Sequence, residues 1–182
     1  TVTSSDPDGG TPVYLIVGGA DAAKFSINAS TGALVFAAAP NYESPTDSGA
    51  DNVYNVTVQV SDGSLTSTQA IAVTVTPAND NTPTITSSVT ANVAENTTAV
   101  LTVTATDADL PAQTLSYSIV GGADAAKFSI NSATGALSFI AAPDYESPTD
   151  AGADNVYNVT VQVSDGSLTS TQAIAVTVTP VN

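Results

Sequence analysis

The sequence predicts an all-β protein made of tandem Greek-key β-sandwiches, with about seven strands in each repeat. Two observations support this prediction. Apolar residues alternate with small or polar residues along most of the chain, as at Val159, Val161 and Val163, and this period of two is typical of a strand with one buried face. Residues 14–79 also recur 103 positions later as residues 117–182, and only eight of the 66 aligned pairs differ. A repeat of about a hundred residues indicates an array of small domains rather than one large core.

Turn residues separate the candidate strands of the second repeat. The segment 122–128 could form one helical turn, but Gly121 and Gly122 favour a loop there. The predicted strands cover residues 84–93, 100–106, 115–120, 136–140, 156–164 and 168–179.

The first repeat follows the same pattern only from its second strand onward, because Thr1 aligns with Thr102 in the middle of a strand pattern. We therefore predict two domains. Residues 1–79 form a repeat that lacks the N-terminal strand, and residues 80–182 form a complete repeat. A missing first strand would leave a sheet edge of the first domain exposed and open to pairing with another chain.

The predicted boundary lies around residues 76–83, whose sequence is TPANDNTP. Proline residues bracket three residues with metal-ligand side chains, Asn79, Asp80 and Asn81. A linker this short cannot act as a flexible tether, so the orientation of the two domains should depend on what the linker binds. Taken alone, the linker fits an ordinary polar interdomain turn equally well.

The charge balance indicates cations as partners. Seventeen acidic residues face only two basic ones, Lys24 and Lys127, and the net charge is −15. Nucleic acid and anionic membrane surfaces require a positive protein surface, so neither is an expected partner. The chain has no cysteine, which excludes disulfides and thiolate metal sites. No stretch approaches the roughly twenty apolar residues of a membrane span.

The sequence gives no support for catalysis, and we predict that the chain is not an enzyme. It has no histidine and no cysteine, and no glycine-rich phosphate loop precedes a helix. Paired carboxylates leave a glycosidase as the one catalytic alternative. Their repetition and their clustering around the linker favour metal binding instead.

The acidic residues of the second repeat occur in short motifs that closely resemble those of the cadherin repeat, which has an immunoglobulin-like sandwich fold. The first repeat matches the same family from its second strand onward. The elements that carry the resemblance are Asn79-Asp80-Asn81, Glu95 in VAENT, Asp107 and Asp109 in TATDADL, Tyr117-x-Ile119, the run from Phe128 to Leu137, Asp144-Tyr145-Glu146, and Ser164-Asp165-Gly166.

The resemblance implies that Ca²⁺ ions lie between successive repeats, with ligands from the lower end of one repeat, the linker and the upper end of the next. Asn81 would coordinate through its backbone carbonyl, while Asp80 and Asp109 would bridge ions. The implied ligands between the two repeats are Glu43, Asn79, Asp80, Asn81, Asp107, Asp109 and Asp165. Half-sites for further repeats are implied at Asp6, Asp8 and Asp62 above, and at Glu95, Asp144, Glu146 and Asn182 below. Asn41 replaces the counterpart of Asp144 and removes one charge from the first repeat.

Two further features leave alternatives open. The aspartates of loops 44–52 and 147–155 could hold an extra ion, or these loops could be solvated acidic turns. The tyrosines and phenylalanines lie on or beside strand patterns, where core packing is favoured over a platform for carbohydrate.

The leading functional hypothesis is a calcium-rigidified structural and adhesive repeat of a long extracellular surface protein or filament. The cysteine-free composition, rich in Thr, Ala and Val, favours a bacterial one. Its predicted partners are adjacent identical repeats, through self-association into filaments or homophilic contacts. The alternatives are a polysaccharide-binding or homophilic recognition module, and an accessory domain of a secreted enzyme.

Overall fold

The computed structural model describes all 182 residues. Its regular structure is strand apart from two single-turn 3-10 helices, which confirms the predicted all-β fold class. The chain divides into two compact units, Thr1–Ala78 and Asn79–Asn182.

The first unit contains two antiparallel sheets. One sheet has the strand order β1-β4-β5, and a β2-β3 hairpin forms the other. The strands are β1 (Val13–Gly18), β2 (Phe25–Ile27), β3 (Leu34–Phe36), β4 (Val53–Ser61) and β5 (Thr66–Thr74), with a 3-10 turn at Ala22–Lys24.

The second unit repeats this arrangement and adds strands at both sheet edges. Its sheets have the orders β10-β13-β14-β7 and β11-β12-β8, with a small β6-β9 pair beside them. Only the β14-β7 pairing is parallel. The strands are β6 (Thr84–Ile85), β7 (Thr90–Ala94), β8 (Ala99–Thr102), β9 (Ala105–Thr106), β10 (Ser116–Gly121), β11 (Phe128–Ile130), β12 (Ala136–Phe139), β13 (Val156–Ser164) and β14 (Thr169–Thr179), with a 3-10 turn at Ala125–Lys127.

The core of the second unit lies between its two larger sheets, as the alternating pattern predicts. Every second residue of β13 is buried, and Val161 and Val163 are fully inaccessible. Phe128 and Phe139 stack with ring centroids 4.5 Å apart, and Tyr157 meets both rings edge-on. Because their ring faces pack against each other, these aromatic side chains are core residues, as expected.

Three predicted elements differ from the structure. The strand predicted at 84–93 is divided into two strands that pair with different neighbours. β6 pairs with β9, and β7 pairs with β14. The strand predicted at 100–106 is likewise interrupted between β8 and β9. The segment 122–128 was expected to be a loop, but it contains the 3-10 turn Ala125–Lys127, followed directly by β11, which was not predicted. A strand of three residues is too short to reveal a period of two.

The acidic loop 147–155 is a hydrogen-bonded structure of its own. Asp150 is 7% exposed, and its oxygens accept the backbone N–H groups of Gly152, Asp154 and Asn155. Asp124, which is 4% exposed, accepts the N–H groups of Ala151 and Asn158 at 2.7 and 2.8 Å. Loop 44–52 repeats these contacts through Asp47 and Asp21. Backbone donors therefore already occupy the carboxylates, which favours a structural role for both loops over an extra ion site.

Candidate metal centre

The fold of the second unit brings three aspartates from two separate turns together. Asp107 and Asp109 follow β9, and Asp165 follows β13. β9 pairs with β6, the first strand after the linker, so the linker residues lie beside the first turn. One carboxylate oxygen from each aspartate lies within 4.8 Å of the other two. Sites with several carboxylates this close favour a cation.

Asp109 is the most buried acid of this set, with 1% of its surface exposed. The Asn81 side-chain nitrogen donates to Asp109 Oδ1 at 2.6 Å, and the Asn81 backbone N–H donates to the same oxygen at 3.1 Å. Burial acts to raise the pKa of Asp109 and the charge of Asp165 adds to this, but the hydrogen bonds from Asn81 and Asp80 outweigh both, so the pKa is lowered. Asp109 is therefore held in its charged form.

Asp165 is held in the same way by its own turn. It is 7% exposed, and its Oδ1 accepts the backbone N–H groups of Ser167 and Leu168, both at 2.7 Å. Burial again acts to raise the pKa of Asp165, but the hydrogen bonds from Ser167 and Leu168 outweigh it, so the pKa is lowered. The carboxylates of Asp109 and Asp165 are thus both buried and both kept in the ionised form.

Two oxygens of the cluster lack a hydrogen-bond donor. Asp107 Oδ1 accepts the backbone N–H of Asp109 at 3.0 Å, whereas Asp107 Oδ2 is buried and has no partner. The Asn79 side-chain oxygen faces Asp109 Oδ2 and Asp165 Oδ2, at 3.3 and 3.1 Å, and so faces only acceptors. Reversing the Asn79 amide would give both carboxylates a donor, but it would leave Asp107 Oδ2 without one.

The remaining linker ligand, Asp80, is exposed. Its Oδ1 accepts the Asn81 side-chain nitrogen at 3.1 Å. Glu43 belongs to the first unit, where its backbone N–H donates to Asn41 Oδ1 at 2.8 Å in the loop after β3. That Glu43 joins the ligands of the second unit stays a prediction.

The predicted lower half-site also converges within the second unit. One carboxylate oxygen from each of Glu95, Asp144 and Glu146 lies within 4.8 Å of the others. Glu95 is 6% exposed, and backbone hydrogen bonds from Val181 and Tyr145 lower its pKa. Asn182, the fourth predicted member, is the exposed last residue.

The upper half-site of the first unit differs from its counterpart. Asp6 corresponds to Asp107, but both Asp6 oxygens accept backbone N–H groups, from Asp8 at 2.9 Å and Gly10 at 3.0 Å. Gly10 fits tightly here, since a Cβ atom at this position would lie 2.8 Å from Asp62 Cβ and 2.9 Å from Asp6 Oδ2. Asp62 itself has its pKa lowered by the backbone N–H groups of Leu65 and Ser64. The buried oxygen without a donor at Asp107 thus has no equivalent at Asp6.

Sequence reasoning named the carboxylates but missed the backbone donors that hold them. The N–H groups of Ser167 and Leu168 fix Asp165, and that of Asn81 fixes Asp109. The Ser-Asp-Gly-Ser turn was the available signal, because aspartate at the start of such a turn commonly accepts N–H groups from the residues that follow.

A tandem β-sandwich with acidic clusters next to its turns is the class of protein that this fold and site define. Residues 89–179 match the cadherin domain family, and the chain belongs to that family. The resemblance read from the sequence is therefore confirmed. Cadherin domains are extracellular, adhesion-type repeats, and the chain is an extracellular segment.

Individual relatives include human Protocadherin Fat 1, which is 34% identical over 160 residues, covering 84% of this chain and 3% of that protein. The chain thus spans a small part of its curated relative. Among solved structures, human Protocadherin-24 EC1-2 superposes with a TM-score of 0.73 at 22% identity, covering 100% of this chain and 86% of that one. Drosophila N-cadherin EC1-4 superposes with a TM-score of 0.71 at 16% identity, covering 97% of this chain and 44% of that one. Mouse Cadherin-23 EC22-24 superposes with a TM-score of 0.66 at 26% identity, covering 97% of this chain and 56% of that one.

No helix in the structure has the length and apolar character needed to cross a membrane. The cadherin family consists of adhesion modules rather than enzymes, which agrees with the expectation that the chain has no catalytic activity. That expectation itself stays a prediction.

Proposed function

We propose that this chain is a calcium-rigidified structural and adhesive repeat of a long extracellular surface protein. The observation that carries the proposal is the cluster of oxygens in the second unit. Asp107 Oδ2 is buried without a donor, and one carboxylate oxygen from each of Asp107, Asp109 and Asp165 lies within 4.8 Å of the other two. A bound cation would satisfy all these oxygens at once.

The alternative to a cation accounts for less of the geometry. A reversed Asn79 amide provides hydrogen bonds for Asp109 and Asp165, but Asp107 Oδ2 would still be buried and unpaired. An unpaired buried polar atom costs about 1–3 kcal/mol, and more when it is charged. The reversed amide thus accounts for the contacts of Asn79, but a cation would also give Asp107 Oδ2 a partner.

The ligand types favour Ca²⁺. Carboxylate and side-chain amide oxygens suit a hard cation, and Ca²⁺ accepts about six to eight of them in a flexible geometry. Mg²⁺ demands near-ideal octahedral coordination and loses its water reluctantly, so it fits a crowded carboxylate cluster less well. The residues that would hold an ion in this cluster are Asn79, Asp107, Asp109 and Asp165.

Rigidification is the mechanical part of the proposal. Asn79, Asp80 and Asn81 lie in the linker, and Asn81 contacts Asp109 directly, so an ion held by Asp109 would also fix the linker. We propose that Glu43 of the first unit completes the ligand set. Calcium would then convert the mutual repulsion of these acids into an attraction between the units.

The nature of the whole protein is also part of the proposal. The near-identity of the two repeats and the absence of cysteine support a repetitive bacterial surface filament, whose partners would be adjacent identical repeats. The stacked Phe128 and Phe139 rings are buried, which removes them as a platform for polysaccharide. We therefore prefer a structural repeat over a carbohydrate-binding module as the function of this chain.

Calcium titration of a near-isosteric pair of variants tests the site. Asp109→Asn and Asp154→Asn remove the same charge from the second unit, but only Asp109 lies in the cluster. Isothermal titration calorimetry on the chelator-treated protein should show Ca²⁺ binding weakened at least about tenfold by Asp109→Asn and nearly unchanged by Asp154→Asn. Equal effects of the two substitutions would mean that the ligand assignment is wrong.

A further inference from the structure

We propose that each unit binds a small organic anion in a surface cavity that is lined by the only basic side chain of that unit. The cavity lies beside the 3-10 turn, which ends at Lys24 in the first unit and at Lys127 in the second. Its volume is about 550 Å³ in the first unit and about 340 Å³ in the second. Sites for small molecules commonly have volumes of about 300–1,000 Å³.

This lysine cavity belongs to the repeat itself, since both units have it. Residues 23–24, 36–41, 44, 46 and 54 line it in the first unit, and the residues 103 positions later line it in the second. The lining residues of each cavity lie within one unit. The second unit has the cavity although β7 and β8 are present there, so the cavity does not depend on an open sheet edge.

The fold anchors the backbone of each lysine at the wall of the cavity. Lys127 donates its backbone N–H to the Asp124 carbonyl at 2.8 Å, and its own carbonyl accepts the N–H of Ile140 at 2.8 Å. Lys24 makes the matching two contacts in the first unit, also at 2.8 Å. The ammonium group therefore extends from a fixed point on a flexible stem of four carbons, which allows it to adjust to a ligand.

Apolar groups and one hydroxyl form much of the remaining wall. In the first unit the apolar part is Phe36 with residues 37–40, three alanines and a proline. Tyr54 and Thr46 also line the cavity, and the Tyr54 hydroxyl accepts the Thr46 N–H at 3.1 Å. A hydroxyl that accepts a hydrogen bond keeps its own proton for donation. A compact apolar group with one carboxylate matches this combination of groups.

Charge complementarity selects an anion as the ligand. The chain has seventeen acidic residues and only these two lysines, so the lysine cavity is where each unit offers an ammonium group to an anion. A charge-assisted hydrogen bond between a carboxylate and an ammonium group acts at short range. Repulsion from distant acids is weakened at physiological salt, where the screening length is about 8 Å.

One difference between the repeats predicts which cavity binds more tightly. Asn41 lines the cavity of the first unit, and Asp144 occupies the same place in the second. The carboxylate of Asp144 repels a bound anion, whereas the amide of Asn41 does not. The only other difference in the lining is Ala37 against Ile140, which changes no charge. The first unit should therefore be the tighter site.

Calorimetry with naphthoate and its neutral amide, naphthamide, tests the proposal on the whole chain in calcium-free buffer. We expect naphthoate to bind saturably and naphthamide to bind at least about tenfold more weakly, because the amide has no charge to pair with the ammonium group. Lys24→Gln should weaken the tighter site at least about tenfold. Lys127→Gln removes the same charge from the second unit and should leave that site nearly unchanged.

Exchanging the residue types at positions 41 and 144 tests the charge argument separately. Asn41→Asp should weaken naphthoate binding to the first unit several-fold, and Asp144→Asn should strengthen binding to the second unit by a similar factor. Changes in the backbone amide resonances of residues 37–41 and 140–144 on naphthoate addition identify the cavity that each substitution affects.

Three results would overturn the proposal. One is the absence of saturable naphthoate binding up to about 10 mM. Another is equal binding of naphthoate and naphthamide to the unsubstituted protein, which would mean that the cavity does not recognise charge. The third is a dimer of the ligand-free chain that Lys24→Gln abolishes, since the occupant would then be an acidic side chain of a second copy.

Discussion

At the scale of single residues, backbone N–H groups decide what each carboxylate can do. Asp150 and Asp107 are both acids in turns, but the Asp150 oxygens accept three backbone N–H groups whereas Asp107 Oδ2 accepts none. The first arrangement stabilises a loop without a cation. The second leaves an oxygen for which a cation is the natural partner.

The buried loop aspartates make stability depend on pH. Burial acts to raise the pKa of Asp150, but hydrogen bonds from the backbone of Asp154 and Asn155 outweigh it, so the pKa lies below its ordinary value of 3.8. Below that value the unfolded chain binds more protons than the folded one, so stability falls as pH falls. The stabilisation from Asp150 is complete at pH values above its ordinary pKa. It is lost as the pH drops through the pKa that Asp150 has in the folded protein.

We expect the free energy of unfolding, measured in urea with chelator present, to decline below pH 3.8. The Asp150→Asn variant should be less stable near neutral pH and should show a shallower decline in acid, because its amide does not titrate. Parallel pH profiles for the two proteins would contradict this account of the loop.

The sequence predicted which residues are acidic ligands but not which oxygens are available. Asp6 and Asp107 occupy matching positions, yet Gly10 donates to the second oxygen of Asp6 while the corresponding oxygen of Asp107 has no donor. The connection to the next tyrosine is two residues shorter in the first repeat, since Asp6 precedes Tyr14 by eight positions and Asp107 precedes Tyr117 by ten. A difference of this kind depends on backbone geometry, which motif matching does not describe.

At the scale of elements, the long strands were predictable and the short ones were not. β13 covers the predicted residues 156–164, because its nine residues display several periods of alternation. The change of sheet between β6 and β7 leaves the alternation intact and therefore gives no signal in the sequence. An exposed sheet edge in the first repeat was predicted from the alignment of the repeats, without naming the strand, and in the structure β5 pairs only with β4.

Matched substitutions compare β5, which pairs only with β4, with β14, which pairs with both β13 and β7. Val176 is fully buried, so Val176→Ala should destabilise the second unit by about 2 kcal/mol. Val73→Ala should destabilise the first unit by roughly half as much, because its side chain already contacts solvent.

Native-state hydrogen exchange can measure the effects of Val176→Ala and Val73→Ala, since it reports the opening free energy of each unit separately. The two positions have the same residue in the same local sequence, so each serves as the control for the other. Equal losses would mean that the open edge has little effect on packing in the first unit.

At the scale of the whole molecule, the acidic residues divide between two tasks. Some complete loops within a unit, as Asp124 and Asp150 do, while Asp107, Asp109 and Asp165 form a cluster of carboxylates in the second unit. The net charge of −15 therefore does not describe a uniformly acidic surface. Family membership and the repeat could be read from the sequence, but coupling between the units is the claim that requires a solution experiment.

Small-angle X-ray scattering of the chain with calcium and with chelator tests that claim most directly. We expect calcium to give a longer particle with less interdomain flexibility, and Glu43→Gln to reduce this change while Asp154→Asn leaves it intact. Circular dichroism should remain that of a folded β protein in both conditions, because each unit has its own core. A scattering profile that calcium leaves unchanged, at concentrations where calorimetry shows binding, would contradict the proposal that the ion couples the two units.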